Sequence, residues 1–189
     1  MCNITSDLTA NVPWNSTEEA PVKRKNLLFT GAPGCGKSTL IEKIIKELDR
    51  PASGFFTREI REGGRRVGFS ITTLDGRNGI LAREGLHSPY RVGRYGVCIE
   101  DIERIAVPSM DTEREGEIVV VDEIGKMECM SELFRDTLIA ILDSDHPVIG
   151  SVALRGNPFI EGIKQRDDVL VVKVTEENRE ELVGLYSVF

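Results

Sequence analysis

Asn26-Leu27-Leu28-Phe29-Thr30-Gly31-Ala32-Pro33-Gly34-Cys35-Gly36-Lys37-Ser38-Thr39 begins apolar, passes through three glycines and closes on Lys-Ser-Thr. Within it Gly31, Gly36, Lys37 and Ser38 fill the template G-x-x-x-x-G-K-[ST], a loop that wraps the phosphates of a nucleoside triphosphate. Glycines let successive backbone amides approach several anionic oxygens without side chains in the way. The amides form a nest, and the N-terminus of the following helix adds its partial positive charge. Lys37 supplies a full charge toward the β- and γ-phosphates, and the Ser38 hydroxyl is the expected ligand of a Mg²⁺ bridging them. Leu27, Leu28 and Phe29 suit a buried strand. Beyond the loop, Leu40, Ile41, Ile44, Ile45 and Leu48 share one helical stripe, with Glu42, Lys43, Lys46 and Glu47 on the other. Strand, loop and helix therefore stand in the order the template requires.

A second landmark is Glu117-Ile118-Val119-Val120-Val121-Asp122-Glu123-Ile124-Gly125-Lys126-Met127-Glu128. Four consecutive β-branched apolar residues cannot alternate, so the strand is expected to be buried on both faces, as central parallel strands are. Asp122 and Glu123 follow at its C-terminal edge, where open α/β sheets place their ligands. The aspartate is the expected Walker B group, holding Mg²⁺ directly or through water. The glutamate can orient and deprotonate a water for in-line attack. An acidic strand terminus that merely caps a helix is the plainer alternative. Lys126 and Glu128 either reach the γ-phosphate side or begin a helix.

The 189 residues suit one domain with a full core, and 40% hydrophobic with 29% charged residues is an ordinary globular composition. A net charge of −7 argues against a general nucleic-acid or membrane-surface binder. Cys2, Cys35, Cys98 and Cys129 are scattered without a C-x-x-C pair, so neither a zinc site nor a disulfide framework is indicated and a cytoplasmic location is expected. No apolar stretch approaches the length of a membrane span, and residues 1–25 lack the apolar core of a signal peptide.

Residues 1–24, polar and proline-containing around Trp14, read as a flexible tail, and residues 25–189 as the folded domain. The glycosylation patterns at Asn3 and Asn15 read as incidental. Asp49-Arg50-Pro51 ends the first helix, and two extended runs about Gly63-Gly64 predict a β-hairpin over 54–74. Its arginines, Arg58, Arg61, Arg65 and Arg66, form a solvated tip or contact phosphate. Asp75-Gly76 turns the chain toward a short strand at Ile80-Leu81. Residues 82–95 read as a long connection in which His87 has no ligand partners. A strand follows at 95–99 and a helix over 100–110. Met127, Met130, Leu133, Phe134, Leu138, Ile141 and Leu142 predict one helix running to about residue 143. Strands at 147–152 and 169–174, the latter buried, flank a short helix at 159–164, and Thr175-x-x-Asn178 opens the last helix. Arg155, Lys164 and Arg166 are surface charges, or one is an arginine finger or part of a lid.

With both landmarks placed, residues 26 to about 183 resemble the THEP-type nucleoside-triphosphatases, a P-loop family that includes the animal cancer-related nucleoside-triphosphatase. The likeness rests on Leu28 through Ile41, on Gly54-Phe55 with Thr57, Glu59 and Arg61, and on Gly64 through Phe69. Arg91-Val92-Gly93, Val121 through Glu128, and Val174-Thr175 with Glu177-Asn178-Arg179 complete it. Cys35 and Ser38 stand where relatives often have an aliphatic residue and Thr, and a backbone cradle with a hydroxyl tolerates both. No role is carried onto Arg58. The resemblance implies an α/β, three-layer, RecA/AAA-like P-loop fold with a mostly parallel central sheet and an inserted β-hairpin. It also implies Mg²⁺-dependent hydrolysis of several nucleoside triphosphates. The nucleotide contacts it implies are Gly31, Ala32, Pro33, Gly34, Cys35, Gly36, Lys37, Ser38 and Thr39 in the loop. Ile118, Val119, Val120, Val121, Asp122, Glu123, Ile124 and Gly125 complete that set.

The leading reading is therefore hydrolysis, with Lys37 and Glu123 catalytic and Ser38 and Asp122 on the metal. A nucleotide or nucleoside kinase, with the hairpin and the 83–94 loop forming an acceptor pocket, is the alternative. A guanine-nucleotide switch would need an Asn-Lys-x-Asp motif, and Asn178-Arg179-Glu180-Glu181 lacks its aspartate, although Asn178 and Arg179 can still lie beside the base.

Overall fold

The computed structural model describes residues 24–112 and 114–187. The tail assigned to 1–24, with Trp14 and both glycosylation patterns, lies outside them up to residue 23. Among the described residues one nine-stranded sheet runs in the order β5-β6-β4-β3-β2-β7-β8-β1-β9. The strands are β1 (Asn26–Thr30), β2 (Ala52–Glu62), β3 (Arg65–Thr73), β4 (Asn78–Glu84), β5 (Arg91–Val92), β6 (Tyr95–Val97), β7 (Ile118–Ile124), β8 (Val148–Val152) and β9 (Val169–Lys173). From β2 through β7, β8 and β1 to β9 every pairing is parallel, and from β2 outward through β3, β4, β6 and β5 every pairing is antiparallel.

Helices cover both faces, as parallel strands require. The helix α1 (Lys37–Leu48) and the final helix α5 (Arg179–Tyr186) lie on one face, burying Leu40, Ile41, Ile44, Leu182 and Val183. On the other face are α2 (residues 99–109, with a π-helical centre at Ile102–Ala106), α3 (Glu132–Asp143) and α4 (Pro158–Lys164). The uninterrupted apolar run of β7 follows: Ile118 and Val120 enter the first core, Val119, Val121 and Ile124 the second. Phe55 and Phe134 meet edge-on across the second core with centroids 6.2 Å apart. No helix among the described residues is long and apolar enough to cross a membrane.

Four local expectations change. The inserted hairpin is the first part of a larger antiparallel wing, because β4 continues to Glu84 and β5 forms within what read as a long connection, both pairing with the expected strand at β6. The helix expected from Met127 starts later: a 3₁₀ turn covers Glu128–Met130, and the Ser131 hydroxyl then caps α3 by accepting from the Phe134 amide at 3.0 Å. That phase leaves Leu133 48% exposed, outside the core. The strand β9 is only half-buried, since it closes the sheet edge beside β1 alone.

The N-terminal half of β7 is held close to β2 by Gly54. Its φ of +107° is open to glycine, and a Cβ there would fall inside van der Waals contact of the Val120 carbonyl oxygen. Gly54→Ala is expected to lower unfolding free energy by about 3 kcal/mol or more, through backbone strain and overpacking together. Urea titration measures it, and a loss under about 1 kcal/mol would refute the packing argument.

Candidate active site

The P-loop leaves β1 at Thr30 and enters α1 at Lys37. Gly31 is packed against Val174 at the end of β9, where a Cβ would also meet the Cys35 sulfur. Gly36 takes φ +98°, which turns the chain into the helix. The Lys37 ammonium donates to the Gly31 carbonyl at 3.2 Å and lies 3.5 Å from that of Ala32, which folds the side chain back over the loop's mouth.

A cleft of about 610 Å³ opens above this loop. Gly31, Pro33, Gly34, Gly36, Lys37, Ser38 and Thr39 form its floor. Asp122 and Glu123 reach it from β7, Thr57, Arg58, Arg66 and Phe69 wall it from the β2–β3 hairpin, and Ala153 to Arg155 close it beyond β8. The two landmarks, more than 80 residues apart in sequence, thus share one cavity. Their meeting depends on β8, which pairs with β1 on one side and with β7 on the other.

Several residues of the implied contact set do not reach the cleft. Ile118, Val119, Val120, Val121 and Ile124 are fully buried in the two cores, where their side chains hold β7 in place. Cys35 is buried beneath the loop, and Ala32 is exposed on its outer side. Gly125 lies behind Glu123, beside a smaller cavity of about 260 Å³ lined by Phe69, Leu81, Val92 and Met127. Asn178 ties its own loop, accepting from the Thr175 amide at 2.8 Å and donating to the Lys173 carbonyl at 2.9 Å. Arg179 packs against Gly36 in a separate hollow with Thr39 and Leu40.

Asp122 is 2% exposed. One of its oxygens accepts from the Ser151 hydroxyl, and the other, Oδ2, is buried without a partner. Burial raises its pKa, opposed by the Ser151 and nearby Ser38 hydroxyls and by the charge of Lys37. The two side chains expected on a metal therefore face one another, with a buried carboxylate oxygen left free. That donor set fits Mg²⁺, which binds through one or two protein oxygens with water and substrate phosphates completing its shell. Glu123 is half-buried, and burial raises its pKa too, with Lys37 opposing and Asp122 adding to the rise.

The site also uses residues with no local sequence signature. Ser151 is a hydroxyl inside an apolar strand, and its position one strand away from Asp122 is the only clue it offers. Thr57 and Phe69 look like ordinary alternating hairpin residues. Of the hairpin arginines, Arg61 and Arg65 pair with Glu59 and Glu84 at the tip, whereas Arg58 and Arg66 face the cleft. Lys126 is exposed, but Glu128 is buried, with its Oε2 2.7 Å and the Glu123 Oε1 3.4 Å from where a Gly125 Cβ would sit.

Burial, with the Glu123 charge second, lifts the Glu128 pKa from 4.5 to about 8. A carboxyl raised in the folded state binds more protons there than when unfolded, so its contribution to stability is lost as pH rises from about 4.5 toward about 8. Glu128→Gln is expected to flatten the pH dependence of unfolding in that window by up to about 1.4 kcal/mol per pH unit in magnesium-free buffer. Unfolding curves at several pH values with unchanged slope would contradict it.

Comparison with known proteins agrees with this geometry. The family model described as NTPase matches residues 26–185. Nucleoside-triphosphatase THEP1 of Thermotoga maritima is 48% identical over 159 residues, covering 84% of this chain and 91% of the relative. The cancer-related nucleoside-triphosphatase of Homo sapiens is 39% identical, over 84% of this chain and 93% of the relative. The crystal structure of THEP1 from Aquifex aeolicus superposes with a TM-score of 0.77 at 34% identity, over 84% of this chain and 95% of that one. A P-loop, a buried strand ending in two carboxylates and a match along nearly the whole folded domain converge, and the chain belongs to the NTPase family of THEP1 and the cancer-related nucleoside-triphosphatase.

Proposed function

We propose that this nucleoside-triphosphatase requires Mg²⁺, hydrolyses ATP, GTP, CTP and UTP to diphosphate and phosphate with loose base selection, and uses Glu123 to activate water. The observation that carries the reading is the cleft in which Lys37, Ser38, Asp122 and Glu123 converge, with Asp122 Oδ2 buried and unpartnered. Ser38 and Asp122 would hold the Mg²⁺, which when bound neutralises phosphate charge. The P-loop amides and Lys37 hold the β- and γ-phosphates. Glu123, its pKa lifted by burial, takes a proton from water more readily than an exposed carboxylate does.

Loose base selection is supported by a cleft whose floor contacts are directed at phosphate, and by relatives whose printed names specify no base. The kinase alternative gains nothing from those names. Free thiols at Cys35, Cys98 and Cys129 support a reducing, cytoplasmic setting. The acidic net charge of −7 supports the absence of a nucleic-acid partner.

Phosphate release from each of the four triphosphates, with Mg²⁺ or with chelator, tests the proposal. Turnover is expected on all four and is expected to vanish with chelator. Glu123→Gln is expected to lose about 100-fold to 10,000-fold in kcat while binding triphosphate within a few-fold of wild type, whereas Lys37→Ala weakens binding itself. Full turnover in Glu123→Gln, or turnover on a single triphosphate, would sink the reading.

A further inference from the structure

We infer that Arg155 is a charge-stabilising residue for the transferring phosphoryl group, supplied in cis, so that the site is complete within one chain and needs no activating partner. The inference rests on the proposed hydrolysis and deepens it. Three guanidinium groups line the cleft, those of Arg58, Arg66 and Arg155. Two are already engaged. Arg58 is ion-paired with Glu42 and stacked on Phe56, its carbon Cζ 5.1 Å from the ring centroid. Arg66 is ion-paired with Glu59 at 2.7 Å and stacked on Phe69 at 5.0 Å.

Arg155 is different. Its side chain makes no ion pair among the described residues, yet the backbone on both sides of it is fixed. The Leu154 carbonyl accepts from Lys164 Nζ at 3.1 Å, and the Gly156 amide donates to Glu161 Oε1 at 2.7 Å. Lys164 and Glu161 are themselves paired at 3.0 Å on α4, and the Asn157 side chain caps that helix by accepting from the Ile160 amide at 3.0 Å. Gly156 lies so close to Ile160 that a Cβ would overlap it. A guanidinium without a partner is thus mounted on a rigid support.

The mount is also central. Arg155 follows β8, the strand between the P-loop strand and the strand carrying Asp122 and Glu123, and the Ala153 amide bonds the Ile124 carbonyl at 3.1 Å. Both Glu123 and Arg155 line the main cleft and the smaller cavity behind Glu123.

In the reaction a water oxygen bonds to the γ-phosphorus, and the bond from phosphorus to the β–γ bridging oxygen breaks. The electron pair leaves with the diphosphate, and the water's proton passes to Glu123 and then to solvent. Negative charge gathers on the bridging and γ-oxygens as this happens, and a planar, always-charged donor fork is suited to receive it. Leaving a guanidinium unpaired in the free protein costs little at an exposed position, and keeps it available for that charge.

Arg155→Ala and Arg155→Lys test the assignment in steady-state hydrolysis of ATP, with ADP binding and capture of ADP with aluminium fluoride, a mimic of the transferring phosphoryl group, as separate readouts. Arg155→Ala is expected to lose about 100-fold or more in kcat with KM and ADP affinity within about threefold, and to fail to capture the mimic. Arg155→Lys, which keeps charge but not the fork, is expected to recover only part of the loss. Wild-type turnover per molecule is expected to be constant over a protein dilution series. An Arg155→Ala enzyme within about threefold of wild-type kcat that still captures the mimic would overturn the inference. Loss in Arg155→Ala beside full turnover in Glu123→Gln would support Arg155 while refuting the water-activation reading.

Discussion

The structure depends on a carboxylate held where carboxylates are unstable. Asp122 lies in the C-terminal half of a strand whose apolar residues are sealed into cores on both faces, and it is 2% exposed. Removing a carboxylate from water costs several kcal/mol unless partners replace the lost hydration. Ser151 replaces part of it, and Oδ2 has no replacement within the described residues. The surrounding fold must absorb the difference, and it has the means: β7 lies between β2 and β8 near the middle of the sheet and contributes five fully buried apolar residues. Buried polar atoms left unsatisfied in that way are uncommon and concentrate where a ligand completes them.

The strand β8 converts this burial into a site. By pairing with β1 and β7 at once it fixes the lateral distance between the P-loop and the carboxylates, and its C-terminal end brings Ser151 to Asp122 and leads on to Arg155 at the cleft. The antiparallel wing performs a different task. It extends β2 beyond the parallel sheet, so that Thr57, Arg58, Arg66 and Phe69 stand as a wall facing the P-loop. The ion pairs and stacking that occupy Arg58 and Arg66 stiffen that wall, and the cleft gains a side that the parallel core alone could not provide.

Which parts of this were legible in the sequence follows from the range of the interactions. The P-loop and β7 were readable because their signals are local: glycine spacing, helical periodicity after Lys37, and an apolar run too continuous for a one-sided strand. Beyond Thr73 the strands at Ile80-Leu81 and 95–99 were readable, but β5 and the joining of these strands into one wing were not, because β5 is two residues long and pairing partners are chosen by register. The apolar run Val169–Val172 reads as central yet lies at an edge, since position in a sheet is set by topology and not by composition. Leu133 fits a helical stripe that begins at Met127, but the Ser131 cap resets the phase. Glu128 shows the same limit: in sequence it reads as reaching the γ-phosphate side or as beginning a helix, and only the fold shows it enclosed.

Adjacent carboxyls of similar chemistry can do different work when their neighbours differ, and Asp122 and Glu123 are set apart in this way. Both are raised by burial. Asp122 has two hydroxyls, Ser151 and Ser38, that stabilise its anion, together with Lys37, so its anion is the better supported of the two. Glu123 has no such hydroxyls, only the Lys37 charge in its favour and Asp122 against it. A group in that position accepts a proton more readily than an ordinary carboxylate, which is what the proposed base must do. Glu128 adds to this by enclosure. Neutral through most of the physiological range, it occupies the space behind Gly125 without adding a full third negative charge next to the pair. Were that group ionised, its repulsion would raise Glu123 further and weaken the hold on any anionic substrate in the cleft. The acidic cluster is therefore tuned from behind, by a buried acid set apart from the main cleft.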